Sequence, residues 1–88
     1  MPRPLNVLAA ATLADWGPAY PKIKAYQIHA MPYVQAMLNL TRVSDHYGLD
    51  DAEGIILRFL TNAAPWRGEV ARQVKLELNQ HLKEKQCL

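Results

Sequence analysis

The chain has 88 residues, half of them apolar and 20% charged, with ten Lys and Arg against eight Asp and Glu. That length suits one domain, and the apolar share excludes an intrinsically disordered chain. A formal charge of +2 excludes the large basic excess of a protein that coats nucleic acid, while leaving room for a local basic patch.

A chain of this size buries only about 60–65% of its unfolded surface, so homodimerisation would repair a marginal stability. Cys87 is the single cysteine, which rules out an internal disulfide and makes a reducing compartment the default. No apolar run reaches the ~18–20 residues of a membrane span. Val7 to Ala14 is apolar and follows Arg3, but Pro2, Pro4 and a lone positive charge make a poor signal peptide. The expectation is a cytoplasmic protein with no membrane contact. It forms one domain, with residues 1–30 as a less defined N-terminal segment, 31–83 as a helical core and 84–88 as a fraying tail.

In chain order, Met1 to Asn6 is Pro-rich and reads as extended. Leu5 to Trp16 can form a short Ala-rich helix. Its inner face is either Leu5, Leu8, Ala11 or Thr12, and Asp15, or else Val7, Ala11 and Ala14. Gly17-Pro18 and Pro21 end it. Lys22 to Ala30 favours helix, because Ile23, Tyr26, Gln27 and Ala30 fit helical spacing and the strict alternation of a strand is missing. Met31-Pro32 marks a new start, with Pro32 in the first turn of a helix to His46. Tyr33, Val34, Met37, Leu38, Leu40, Thr41 and Val43 give that helix a broad apolar sector, the mark of contacts on two sides. Gly48 suits its C′ position, with Leu49 making the hydrophobic contact.

Leu49 to Leu82 is the most clearly specified stretch. Asp50 or Asp51 can cap a helix, and Asp50 with Glu53 has capping-box spacing. Ala52, Ile55, Ile56, Phe59, Leu60 and Ala63 form one apolar face, and Gly54 suggests a close approach of another backbone. Thr61 to Pro65 breaks the helix. The last helix runs from Pro65 or Gly68 to Lys83 with Val70, Ala71, Val74, Leu78 and Leu82 as its stripe and Leu76 off it. Trp66 and Phe59 are expected in the core. The short connection makes these two helices expected neighbours. The predicted fold class is all-α, a small helical bundle of three main helices with one or two short N-terminal ones.

The pattern F-L-x-N-x3-W-R-G-E-x-A-R-x2-K-x-E-L spans Phe59 to Leu78. With P-Y-V-x-A-M-L-x-L at Pro32 to Leu40 and Y-G-L-D at Tyr47 to Asp50, it resembles short uncharacterised proteins of phages and prophages of proteobacteria. The resemblance covers roughly residues 30–82. It implies a bacterial host and no particular activity, cofactor or site residue.

Chemistry-bearing motifs are few. His29, His46 and His81 have no metal-ligand spacing, and the carboxylates at 45, 50, 51 and 53 do not form an EF-hand loop. Asp45 and His46 are adjacent, so on a helix they diverge. Ser44 lies in no nucleophile elbow, and the four glycines are scattered. We expect no enzyme, no cofactor and no metal. Two binding readings remain. Arg72, Lys75, Asn79 and Lys83 share one helix face near Arg67 and Trp66, a stripe that could follow phosphates in a nucleic-acid-binding regulator. The blander account is a solvated face and a buried Trp, diluted by Glu69, Glu77 and Glu84. The leading expectation is protein–protein interaction, with Trp16, Tyr20, Trp66 and Leu76 as interface anchors. Its blander account places the same residues in one monomeric core.

Overall fold

The first helix, α1 (Leu5–Trp16), has the bounds that the flanking Pro4 and Gly17 dictate. The computed structural model describes residues 2–17, 24–44, 46–47 and 50–86. It is all-α in class, with α2 (Ala25–Met37), α3 (Ala52–Asn62) and α4 (Glu69–Gln86) completing a small helical bundle. Just before α3, β1 (His46–Tyr47) pairs antiparallel with β2 (Asp50–Asp51) in a two-residue ladder.

Leu5, Leu8, Ala9 and Thr12 face inward from α1, which keeps Leu5, Leu8 and Thr12 of the first face the sequence offered, adds Ala9 and leaves Asp15 exposed; Val7 is 41% exposed. Thr12 is tolerated there because its hydroxyl donates to Leu8 O at 2.9 Å. Leu5 N–H donates to Thr41 O, tying the start of α1 to the chain leaving α2. Gly17 closes the helix at φ 66°, a conformation that favours glycine, and its N–H donates to Leu13 O.

The expected break at Pro32 does not occur. α2 runs through Pro32 as one helix and stops at Met37, well short of His46. Proline removes only the donor to Ile28 O, and both Ile28 and Pro32 are exposed, so water can satisfy that carbonyl. At the other end, Asn39 and Leu40 bond back to Ala36 and Met37, a tightened last turn that unwinds the helix without a glycine. Leu40 and Val43 still reach the core, from a non-helical segment. Gly48 and Leu49 lie outside the described residues, as does Ile23. Lys24 N–H donates to Gln27 Oε1 at 2.9 Å at the start of α2.

Asp51, not Asp50, caps α3: its Oδ1 accepts from Gly54 N–H at 2.8 Å. Gly54 therefore occupies the third helical position, and Glu53 is out of register for a capping box. A Cβ on Gly54 would sit 3.0 Å from that same Oδ1, so the close neighbour is the cap itself rather than another backbone. Asp51→Ala is expected to cost about 1 kcal/mol and Asp51→Asn much less. Urea midpoints measure both, and an unshifted Asp51→Ala midpoint would mean that the cap is idle.

Ala52, Ile55, Ile56, Phe59 and Ala63 are buried as the periodicity predicts. The chain then turns through Ala63–Pro65, with Trp66 N–H donating to Ala63 O, and Gly68 adopts φ 118° before α4 begins. Ala71, Val74, Leu78 and Leu82 line the inner face of α4, while Val70 is 37% exposed and leaves the expected stripe. Of the consecutive helix pairs, only α3 and α4, the pair expected to be neighbours, are not main spatial neighbours. α3 packs on α2, α2 on α1, and α4 chiefly on α1, with only marginal contact to α3. The corner at 63–68 carries Trp66 into the core and so spaces α4 away from α3.

Candidate functional site

Asp15 and Trp66 join the end of α1 to the corner before α4. Trp66 Nε1–H donates to Asp15 Oδ2 at 2.8 Å. The Trp66 ring meets Trp16 edge-on at 5.6 Å and Phe59 at 6.3 Å, and Trp16 also meets Tyr26 at 6.0 Å. These edge-to-face contacts are the favoured aromatic geometry. Burial, then the nearby Asp15 charge, pushes the Tyr26 phenol up. Of the four expected interface anchors, Trp66 is 3% exposed and forms core, as predicted for it with Phe59. Trp16 is half-buried in the same cluster, Leu76 is exposed, and Tyr20 lies outside the described residues. A smaller polar depression of about 240 Å³ opens beside this cluster between Lys24 and Arg67.

Along the other side of Asp15 runs an apolar groove of about 560 Å³ between α1 and α4. Ala11 and Ala14 form one wall, Val70 and Gln73 the other. The groove exists because the α1 wall carries only methyl side chains. Its two ends are charged. Asp15 and Glu69 stand at one end, and Arg3 with Glu77 at the other, which shows that α1 and α4 run antiparallel.

The Arg3 end is tightly bonded. Arg3 Nη2 lies 2.7 Å from Glu77 Oε2, its Nε 3.0 Å from Oε1, and its backbone N–H donates to Oε1 at 2.9 Å. Gln73 Nε2 adds a bond to Oε2 at 3.2 Å. Hydrogen bonding from Arg3 holds the Glu77 carboxyl down at about 2, against the opposing effect of burial. The same bond raises the Arg3 guanidinium. One turn further, His81 Nε2 lies 2.7 Å from Arg3 O. A carbonyl only accepts, so Nε2 carries the proton; Nδ1 is buried with no hydrogen-bond partner.

The basic stripe of α4 is partly engaged within the chain. Arg72 pairs with Glu69 at 2.8 Å. Lys75 Nζ donates to Trp66 O at 2.7 Å and closes the corner before α4; burial, then Arg67, lowers its pKa. Asn79 donates to Lys75 O. Arg67 and Lys83 are exposed.

Sequence reasoning did not single out Arg3 or Glu77. A usable signal existed, because Glu77 and His81 fall at helical spacing with Val74 and Leu78 on the inner stripe, where a polar residue needs a partner. Among the described residues, no group of three or more His, Cys, Asp or Glu side chains could hold a metal ion, and no helix is long and apolar enough to cross a membrane. A scan against protein-family models and searches of curated proteins and of solved structures each found no match.

Proposed function

We propose that this protein is a small accessory or regulatory protein that acts by binding another protein rather than by catalysis. The observation that carries this reading is the α1–α4 groove, apolar along its length and bounded at one end by the Arg3–Glu77 pair and at the other by Asp15 and the Glu69–Arg72 pair. Its partner is a segment with small or aliphatic side chains in the middle and polar groups that meet the ion-paired ends. Val7 and Val70 are partly exposed beside the groove and widen its apolar rim. The resemblance of residues 30–82 to phage and prophage proteins supports a cytoplasmic role in a proteobacterial host.

Val70→Asp tests it. Val70 is exposed enough to accept a charge without unfolding the chain. Proteins cross-linked to the wild type should be lost from the variant at equal melting temperature. Equal recovery by both would overturn the reading. The alternative is a nucleic-acid-binding regulator using Arg67, Arg72, Lys75 and Lys83. It would be favoured by salt-sensitive binding of mixed-sequence DNA or RNA that Val70→Asp leaves intact.

A further inference from the structure

We infer that the polar depression beside the aromatic cluster binds a small oxyanion that carries its own hydroxyl, of which hydrogen phosphate is the simplest. This site goes beyond the protein-binding reading and does not depend on the α1–α4 groove.

Three stretches far apart in sequence build the depression. Asp15 and Trp16 come from the end of α1, Lys24, Tyr26 and Gln27 from the start of α2, and Trp66 and Arg67 from the corner before α4. Its volume of about 240 Å³ falls below the ~300–1,000 Å³ of sites for drug-sized ligands, so it suits a small ion with a few waters.

The lining offers donors that the chain does not use. Gln27 is 8% exposed and still lines the depression. Its Oε1 accepts from Lys24 N–H, which fixes the amide with Nε2 turned the other way. Nε2 carries two hydrogens, and the Tyr26 phenol oxygen that it favours in the ionised form can take only one of them. Trp16, in the same wall, has a buried Nε1–H with no acceptor. Polar groups held this far from bulk water ordinarily have partners, so unused donors gathered at one depression point to an acceptor from outside the chain.

The cations are unused as well. Glu77 occupies Arg3 and Glu69 occupies Arg72. Lys24 and Arg67 are exposed on the rim, and neither makes an ion pair among the described residues. Arg67 adds to burial in lowering the Lys75 pKa, as a charge without a counterion does.

Asp15 selects among anions. It is the one carboxylate in the lining, and Trp66 Nε1–H takes its Oδ2, leaving Oδ1. A carboxylate repels an anion that only accepts, but it holds one that donates a hydroxyl through a short charge-assisted bond. Hydrogen phosphate has that hydroxyl, and sulfate has none. A phosphodiester also lacks it, so the backbone of a nucleic acid fits this depression poorly.

The test is a titration of isotope-labelled protein with inorganic phosphate near neutral pH and at constant ionic strength. The Trp16 indole and Gln27 side-chain amide signals in NMR spectra are the readout. Phosphate should shift both saturably with a Kd of about 1 mM, a strength that a few solvent-reached charge-assisted hydrogen bonds support. Sulfate should bind roughly tenfold more weakly. Lys24→Ala and Arg67→Ala should each weaken phosphate roughly tenfold, the loss of one hydrogen bond to a charged group, at unchanged Tm because both side chains are exposed. Asp15→Asn keeps an acceptor for Trp66 and removes the charge, so sulfate should then bind as well as phosphate. The absence of a saturable shift overturns the inference. So does an equal response of the wild type to phosphate and sulfate, which marks an adventitious ion only, and so does unchanged affinity in both alanine variants. Saturation of the same signals by a short mixed-sequence DNA but not by phosphate overturns it in favour of the nucleic-acid reading.

Discussion

Replacing Trp66 by Ala is expected to cost about 3–5 kcal/mol and to lower Tm by roughly 15–25 °C. The ring lies in the core against Trp16 and Phe59, so its removal leaves a cavity at the point where the corner before α4 meets the end of α1. The indole also holds Asp15 through Nε1. Trp66→Phe separates the two contributions. It keeps most of the ring and removes the donor, and Asp15 is exposed enough to regain water, so it should cost only about 1 kcal/mol. Urea unfolding followed by circular dichroism reads both. Equal losses in the two variants would place the whole effect in the hydrogen bond.

The second large effect is acid sensitivity carried by Glu77. Its carboxyl titrates at about 2 in the folded chain against 4.5 ordinarily, so the folded state binds the proton less readily than the unfolded state. The stability it contributes is fully present above about pH 4.5 and is lost as pH falls toward about 2. At 1.36 kcal/mol per pKa unit the shift corresponds to about 3 kcal/mol, and the 45% exposure of Arg3 screens this to about 2 kcal/mol. Glu77→Gln should therefore lose about 2 kcal/mol at neutral pH and converge on the wild type near pH 2. Other carboxylates contribute to acid unfolding in both proteins, so the difference between the two curves isolates Glu77. Parallel curves across that window would mean that Glu77 does not titrate low.

The sequence made α1, α3 and α4 legible because each is bounded by residues with a local mechanism: Gly17, Asp51, Pro65 and Gly68. α2 was misread for the opposite reason. Pro32 announces a break that solvent exposure makes tolerable, and the true end at Met37 carries no glycine to announce it. The partnering of the helices was not legible either. Whether α4 lies on α3 or on α1 depends on how the corner at Trp66 turns, and hydrophobic periodicity gives a face without naming what covers it. The candidate site was least visible. Arg3 meets Glu77 across 74 residues and Trp66 meets Asp15 across 51, and no spacing rule operates at such separations. Lys75 looked like part of a binding stripe because its bond to Trp66 O depends on the turn between them.

The pairing of the first helix with the last has a cost in chain statistics. A contact between Arg3 and Glu77 closes a loop of 74 residues, whereas α2 and α3 are joined by only the 14 residues from 38 to 51. Closure entropy penalises the longer loop by about 1.5 kcal/mol more. The α1–α4 layer is accordingly the part of the bundle that the unfolded chain resists most. An occupant bridging both helices would act as a clasp, supplying from outside the closure that connectivity does not.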